Sequence, residues 1–212
     1  MASEHSALCS VVPPGMLCFV LSVIMALSLL VVTPAVAAAA PTASWLDEER
    51  PANWNKMRAP VPEGPAADGD PADTPRCKDQ VRAPDTSMDR AVTSRGWSLI
   101  GPTTTHGATI IIVANTSVDG MCRPRLYQAF VFVKGRFAGT LSPVAMNARE
   151  DGAENMIRVV SASEVTVQYA RYADADPLCC PSRLTVVRFR VERLRDGPIV
   201  IPVTAHTRPS SQ

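Results

Sequence analysis

The chain has few aromatic residues, few histidines and no excess of charge of one sign. Only 5% of its 212 residues are Phe, Trp or Tyr, and 20 acidic residues balance 21 basic ones. Proteins that bind nucleic acids usually carry a basic stripe with interleaved aromatic residues, so this composition argues against a nucleic-acid partner. Nineteen prolines indicate many loops around a modest core.

The sequence also lacks the spacings that catalytic, metal and redox sites require. A redox dithiol usually has the spacing Cys-x-x-Cys, and a zinc site needs paired cysteines or histidines, but neither pattern occurs here. We therefore predict no catalytic residue, no cofactor and no metal. The enzyme alternative is a secreted hydrolase-like protein in which His106 is the general base for Ser142 or Thr105. Against it, no Gly-x-Ser-x-Gly element places a serine on a nucleophile elbow.

The first 40 residues have the pattern of an export signal without its usual basic start. Residues 16–32 are apolar apart from two serines, and Ala35-Val36-Ala37 fits a small-residue cleavage site. Residues 1–40 are therefore a signal peptide or, if the leader is not cleaved, an N-terminal helix that anchors the protein in the membrane through residues 16–40. A cleaved leader predicts an exported protein that is periplasmic, cell-surface or secreted, whereas an uncleaved leader predicts a membrane-anchored protein.

Composition divides the rest of the chain into three parts. Residues 41–75 are rich in Pro, Ala, Asp and Glu, which predicts a flexible linker. Trp45 and Trp54 within it offer an alternative, docking onto the domain or at a membrane interface. A folded β domain is predicted over 76–205, and a disordered tail over 206–212.

Runs of β-branched and alternating residues predict a mainly β fold, with α+β as the alternative. We expect a single antiparallel sheet, one N-terminal helix that begins near Asp85 with Asp85 or Thr86 as its cap, and disulfide staples. Lys134-Gly135 and Asp196-Gly197 are hairpin turn signals. The predicted strands cover 97–100, 108–114, 127–133, 136–141, 157–161, 165–172, 184–194 and 198–203, and 127–133 is apolar enough to be covered on both faces.

Several short motifs occur in order along the β domain. They are Asp119-Gly120-Met121-Cys122-Arg123-Pro124, Phe130-Val131-Phe132, Phe137-Ala138-Gly139-Thr140-Leu141-Ser142-Pro143, Arg171-Tyr172 and Asp176-Pro177-Leu178-Cys179-Cys180-Pro181-Ser182. Together they resemble the LppP/LprE lipoprotein family of bacterial envelope proteins, over about Cys77 to Val203. The resemblance implies an exported, cysteine-bearing domain of poorly understood function and carries over no catalytic residue. The chain departs from the lipoprotein members because no lipobox cysteine follows its apolar core.

Four cysteines lie outside the leader, which for an exported chain predicts a disulfide framework. Cys77, Cys122, Cys179 and Cys180 allow three pairings. A bond between Cys179 and Cys180 would strain the peptide between them, because adjacent Cα atoms are only about 3.8 Å apart. We therefore expect Cys179 and Cys180 to reach different distant partners, Cys77 and Cys122.

These features favour an exported bacterial envelope protein that acts by non-enzymatic binding or structural interaction. The expected partner is an envelope protein or an anionic surface, because a row of arginines follows the late strands, although a charged outer face is ordinary for a half-buried sheet. These are Arg183, Arg188, Arg190, Arg193 and Arg195. Besides the hydrolase, the alternative is a carrier of a small apolar ligand, with its pocket between sheet and helix.

Overall fold

The computed structural model describes residues 44–210, so the predicted leader lies outside the described residues. Two short helices, α1 (Asp73–Arg76) and α2 (Ser87–Thr93), and two 3₁₀ turns, Trp45–Asp47 and Lys78–Gln80, precede the strands. No helix between residues 44 and 210 has the length and hydropathy needed to cross a bilayer. The strands are β1 (Ser98–His106), β2 (Thr109–Asn115), β3 (Ser117–Val118), β4 (Pro124–Arg125), β5 (Gln128–Val133), β6 (Arg136–Thr140), β7 (Ala153–Ser161), β8 (Glu164–Arg171), β9 (Arg183–Leu194) and β10 (Gly197–Pro209).

The strands form three antiparallel sheets rather than one. The first sheet has the order β1-β2-β5-β6, the second has the order β10-β9-β8-β7, and β3 pairs with β4 alone. The prediction of a mainly β fold is confirmed, whereas the prediction of a single sheet is wrong. Alternating apolar residues show that a strand has one buried face, but they do not show whether a second sheet or a helix covers that face.

The main core lies between the two four-stranded sheets. The inner face of the second sheet contributes Val165, Val167 and Tyr169 from β8 and Val187, Phe189 and Val191 from β9, all at most 3% exposed. The alternation predicted for these two strands is confirmed. Ile111 and Val131, which are opposite each other on β2 and β5, face them from the first sheet.

A second core covers the outer face of the first sheet. Phe130 and Phe132 of β5 pack there with Val92 of α2 and Trp97, and the Trp97 and Phe130 ring centroids are 5.1 Å apart. Strand β5 is thus covered on both faces, as predicted. The same side chains fill the space between α2 and the sheet, so the pocket expected there for an apolar-ligand carrier is occupied by core.

Helix α2 begins where the capping signal predicts. Thr86 is the N-cap: its hydroxyl accepts from Asp89 N at 3.1 Å, and Asp89 Oδ2 accepts from Thr86 N at 2.9 Å. This reciprocal pair satisfies two backbone donors at the helix start. Asp89 is buried and also binds Arg82 Nη2 at 2.6 Å, which ties the helix to the chain before it.

Residues 45–65, which we call the N-terminal strap, are packed against both cores. Leu46 is only 1% exposed and belongs to the main core. The ring centroids of Trp45 and Tyr169 are 5.6 Å apart, and those of Trp54 and Phe189 are 6.2 Å apart. Both pairs are edge-to-face. The prediction of a flexible linker over 41–75 is therefore wrong for residues 45–65. The alternative, in which Trp45 and Trp54 dock onto the domain, describes this segment. Prolines exclude a helix here, but an extended chain can still bury isolated aromatic side chains.

The strap also closes one seam between the sheets. Strands β6 and β10 lie side by side, and the side chain of Asn55 sits between them, bonded to Thr140 and Val200. Gly139 makes room for it, because a Cβ atom at Gly139 would overlap the Asn55 side chain. A polar side chain thus takes the place of backbone hydrogen bonds at this junction.

The last strand is longer than predicted. β10 pairs with β9 as far as Pro209, and His206 is opposite Val186 in that ladder. Ala205 N also donates to Glu49 O of the strap at 3.0 Å. The prediction of a disordered tail from 206 is wrong for 206–209, while 211–212 lie outside the described residues.

Candidate functional site

The second seam between the sheets, where edge strands β1 and β7 meet, is open. The two strands share no ladder, because the edge of β1 is used by the preceding chain: Val81 bridges to Ile100, and Arg82 N donates to Leu99 O at 3.0 Å. Strand β1 also has a register shift against β2 between Ile100 and Thr104, both of which line the gap. The result is a cleft of about 510 Å³, within the range of ligand pockets. We call it the seam cleft.

The lining of the seam cleft combines apolar side chains with acidic ones and contains no basic residue. Its lining consists of Asp79, Gln80, Ile100, Gly101, Pro102, Thr104, Val113, Glu154, Asn155, Met156 and Ile157. Two of these residues are carboxylic acids, and the apolar ones come from β1, β2 and β7. Such a lining is complementary to a ligand that combines an apolar body with a positive or hydrogen-bonding group.

Glu154 lies where the cleft meets the main core. It is paired with Tyr169 across β7 and β8, so its side chain is on the core side of the sheet, and the register shift between Glu154 and Met156 separates it from the exposed part of β7. The residue is half-buried, but its Oε2 atom is buried and has no hydrogen-bond partner. Burial raises the pKa of Glu154 to about 8, since the charged carboxylate loses its hydration there.

The two tyrosines beside Glu154 are already engaged. Tyr127 donates its hydroxyl hydrogen to Gly152 O, and Tyr169 donates to Leu141 O at 2.8 Å. Burial, with Glu154 nearby, raises the pKa of both phenols well above the ordinary value. Both therefore stay neutral, and their donors point to backbone carbonyls rather than to the free oxygen of Glu154.

A second groove of about 420 Å³ lies between the strap and the outer face of the first sheet. Trp54, Trp97 and Phe137 are among its walls. Its buried polar side chains are satisfied within the fold: Asn55 is bonded to both strands of the closed seam, and Gln128 is bonded to Ser142. The seam cleft is the stronger candidate site because it contains a buried polar group with no partner.

The cysteines do not pair as expected. Cys77 is bonded to Cys122, with Cα atoms 5.4 Å apart, and Cys179 and Cys180 face each other across one peptide bond. The prediction that Cys179 and Cys180 reach Cys77 and Cys122 is therefore wrong. Cys77 directly precedes the Lys78–Gln80 turn, and Cys122 lies in the loop between β3 and β4. The bond thus fastens the segment that carries Asp79 and Gln80 of the cleft.

The adjacent cysteines lie on a braced, exposed loop between β8 and β9. Asp176 Oδ2 accepts from Ala173 N at 2.7 Å and from Ser182 N at 2.9 Å, and Arg149 Nη2 donates to Asp176 O at 2.9 Å. These backbone hydrogen bonds lower the pKa of Asp176. Both cysteines are exposed, and the loop lies away from the seam cleft lining.

The structure does not bring together His106 and Ser142 of the hydrolase alternative. His106 is exposed at the end of β1 opposite Thr109, which pairs in turn with Val133. Ser142 is buried, and its hydroxyl is bonded to Gln128 at the other end of β5. Five residues of strand separate the two levels, or roughly 17 Å. Between residues 44 and 210, no three His, Cys, Asp or Glu side chains form a cluster that suits a metal ion.

Within the arginine row, Arg188 and Arg190 lie on the outer face of the second sheet, whereas Arg183, Arg193 and Arg195 lie at or just beyond the ends of β9. Arg188 binds Glu164 at 3.0 Å, Arg190 binds Glu192 at 2.7 Å, and Arg193 donates to Ala162 O at 2.9 Å. Arg183 and Arg195 are exposed. An anionic surface as partner stays a prediction, and these contacts leave fewer free charges to support it than the sequence indicates.

Comparison with known proteins adds one match. Residues 103–193 match the model of the LppP/LprE lipoprotein family. The resemblance stated from the motifs is thereby confirmed over this shorter range, which suggests a bacterial envelope protein. No curated protein and no solved structure gave a match.

The LppP/LprE segment contains Glu154, Cys122 and both adjacent cysteines, but not the strap, Cys77 or β10. The seam cleft is therefore built from both sides of the family boundary: β7 lies inside the match, whereas Asp79, Gln80 and Ile100 precede it. Sequence reasoning missed Glu154, because it began the strand at 157. One signal could have revealed it: Tyr169 was predicted to face inward, and the residue opposite it on the neighbouring strand is Glu154.

Proposed function

We propose that this protein is an exported bacterial envelope protein that acts by binding a small ligand in the seam cleft, without catalysis. The family match supports the envelope assignment. The observation that carries the binding function is the combination of an open seam and, in its lining, the carboxyl group of Glu154, one oxygen of which is buried and without a partner. Unpaired buried polar groups are rare in proteins because each costs about 1–3 kcal/mol, and a ligand that pairs with the group removes that cost.

Binding of this kind requires no chemical reaction in the cleft. Ser142 and His106 lie at opposite ends of the first sheet, and both tyrosines beside Glu154 are bonded to backbone carbonyls. The groups available to a ligand in the seam cleft are an acid and apolar side chains. Such a set suits recognition, in which an apolar wall supplies affinity and one polar group fixes orientation.

Probe binding to the exported protein tests the site. The neutral apolar dye Nile red should bind the wild type saturably, with a rise in its fluorescence. The variant Thr104→Trp places an indole in the cleft lining and should abolish the signal, whereas Thr105→Trp, on the neighbouring exposed position of β1, should retain it.

Thermal melts of both variants check that they fold. A wild type that shows no saturable binding, or a folded Thr104→Trp variant that binds the dye as the wild type does, would contradict a ligand site in the cleft.

A further inference from the structure

The seam cleft has the charge pattern of a site for a cation. Glu154 at its inner end and Asp79 in its lining are acidic, and no Lys, Arg or His lines it. The other lining side chains that a ligand would meet are apolar or uncharged, among them Ile100, Val113 and Ile157. An anionic ligand would meet the carboxylate of Asp79 and no opposite charge in the lining, at an energetic cost that grows as water is excluded.

Resting on the binding function proposed above, we infer that the ligand class is an amphiphilic organic cation, whose ammonium group pairs with the Glu154 carboxylate while its apolar part lies along β1 and β7. Glu154 lines the cleft and is half-buried, with its Oε2 atom buried and without a partner. The nearby hydroxyls, of Tyr127 just before β5 and of Tyr169 on β8, donate elsewhere. An ammonium group supplies both the positive charge and the N–H donors that this carboxylate lacks on the side that lines the cleft.

Binding is coupled to loss of a proton. In the free protein the pKa of Glu154 is raised to about 8 by burial, so at pH 7 the carboxyl group is mostly neutral. A protonated amine that enters favours the carboxylate, and the proton of Glu154 leaves to solvent as the ion pair forms. The titratable groups near Glu154 include the neutral phenols of Tyr127 and Tyr169, Asp151 near Tyr127, and Asp79 in the cleft lining. Two arginines also lie near the site, each already in an ion pair: Arg82, which donates to Gly101 O of the lining and binds Asp89, and Arg171, which lies against Gly152 and binds Asp47.

Three eight-carbon probes separate the head groups. n-Octylamine, octan-1-ol and octanoate are titrated calorimetrically into the exported wild-type protein and into Glu154→Gln, which keeps the shape of the side chain and removes its charge. At pH 9, where the free protein already holds Glu154 mostly as the carboxylate, we expect octylamine to bind the wild type at least about tenfold more tightly than octanol, since a hydrogen bond to a charged group is worth about 1.5–3 kcal/mol. In Glu154→Gln that preference should disappear while octanol binding is unchanged.

Proton release gives a readout that needs no variant. Titrations at pH 7 in buffers of different ionisation enthalpy should show nearly one proton released per octylamine bound, and close to none at pH 9.5. Octylamine itself stays mostly protonated at both values, as lysine does. This measurement keeps the inference testable if Glu154→Gln fails to fold.

The outcomes distinguish this inference from the function on which it rests. Equal affinity for octylamine and octanol, tighter binding of octanoate, or octylamine binding without proton release overturns the cationic ligand and leaves the seam cleft as a binding site. If none of the three probes binds and Nile red does not bind either, both proposals fail. If Nile red alone binds at the cleft, only the cationic ligand is overturned.

Discussion

Asn55 bonds to Thr140 as a neighbouring strand would. Its Oδ1 accepts from Thr140 N at 2.8 Å, and its Nδ2 donates to Thr140 O at 3.0 Å. The same Nδ2 also donates to Val200 O at 3.0 Å, so one amide side chain from the strap joins β6 to β10. The closed seam and the open seam therefore differ in what fills them: a bonded side chain in the first, a cleft in the second.

The variant Asn55→Leu should destabilise the fold by about 2–4 kcal/mol. It removes these hydrogen bonds and leaves Thr140 N and Val200 O without partners, each at a cost of about 1–3 kcal/mol where water cannot reach, whereas Thr140 O keeps the hydrogen bond from the Trp54 indole N–H. Urea unfolding followed by circular dichroism measures the loss. Lys56→Ala, at the next and exposed position, is the control and should change stability by no more than about 0.5 kcal/mol. An unchanged urea midpoint for Asn55→Leu would show that the Asn55 hydrogen bonds to β6 and β10 do not stabilise the fold.

Asp89 should make the fold sensitive to acid. Burial acts to raise its pKa, but the hydrogen bonds from Arg82 and from the backbone of Thr86 and Asp85 outweigh it and lower the pKa far below the ordinary value. A carboxyl group with a lowered folded pKa contributes stability above its unfolded pKa, near 3.8, which is lost as the pH falls toward the folded value.

Unfolding free energies of wild type and Asp89→Asn, measured from pH 6 to pH 2, check this. The stability gap between them should narrow as the pH falls. The exposed Asp174→Asn serves as the control and should follow the wild type. A gap that stays constant with pH would mean that the charge of Asp89 contributes nothing.

Glu154 should make the fold less stable as the pH rises, whereas Asp89 makes it less stable as the pH falls. Its folded pKa of about 8 exceeds the ordinary value of 4.5, so the folded state holds the proton more tightly than the unfolded chain. The stability from this group is complete below about pH 4.5 and is lost as the pH rises through 8, with a slope of up to about 1.4 kcal/mol per pH unit.

Denaturation of the wild type between pH 5 and pH 9 should show this decline, and Glu154→Gln should flatten it. Glu48→Gln, which removes an exposed carboxyl group, should leave the decline as it is. If wild type and Glu154→Gln fall in parallel, the carboxyl group is not buried as the structure places it.

The Cys77–Cys122 bond should contribute far more stability than the adjacent pair. It closes a loop of 45 residues, for which the chain-entropy relation gives about 4 kcal/mol. Cys179 and Cys180 are neighbours, so a bond between them closes no chain loop.

We therefore expect Cys77→Ser with Cys122→Ser to lower the unfolding free energy by about 4 kcal/mol, and Cys179→Ser with Cys180→Ser to change it by less than about 1 kcal/mol. Non-reducing peptide mapping of the exported protein should find the Cys77 and Cys122 peptides joined. A peptide that links Cys77 or Cys122 to the adjacent pair would refute this connectivity.

Local features of the fold could be read from the sequence because their signals are local. The Thr86 cap, the Lys134-Gly135 turn, where both residues have positive φ, and the inward alternation of β8 and β9 each depend on a few neighbouring residues. Pairing of the sheets could not be read in this way. It depends on contacts such as Asn55 with Val200, which are 145 residues apart.

The candidate site was missed for a related reason. Glu154 is one of several acidic residues in a polar stretch, and nothing in its immediate neighbours distinguishes it from the exposed Asp151. Its position is set by the register of β7 against β8, where Tyr169 lies opposite. A one-residue shift of register would turn the same carboxyl group to solvent. The motif with the adjacent cysteines was easier to notice, and it lies on a loop outside the cleft.

The order of synthesis sets when the fold can close. The strap is made before its partners on β6 and β10, and Val200 and Ala205 belong to the last of the described strands. Until then Leu46, Trp45 and Trp54 have no core to enter, so the first part of the domain to be made is among the last to settle. Contacts this distant in sequence slow folding and prolong exposure of apolar surface. A chain that stops short of β10 would therefore leave the strap without the partners on that strand.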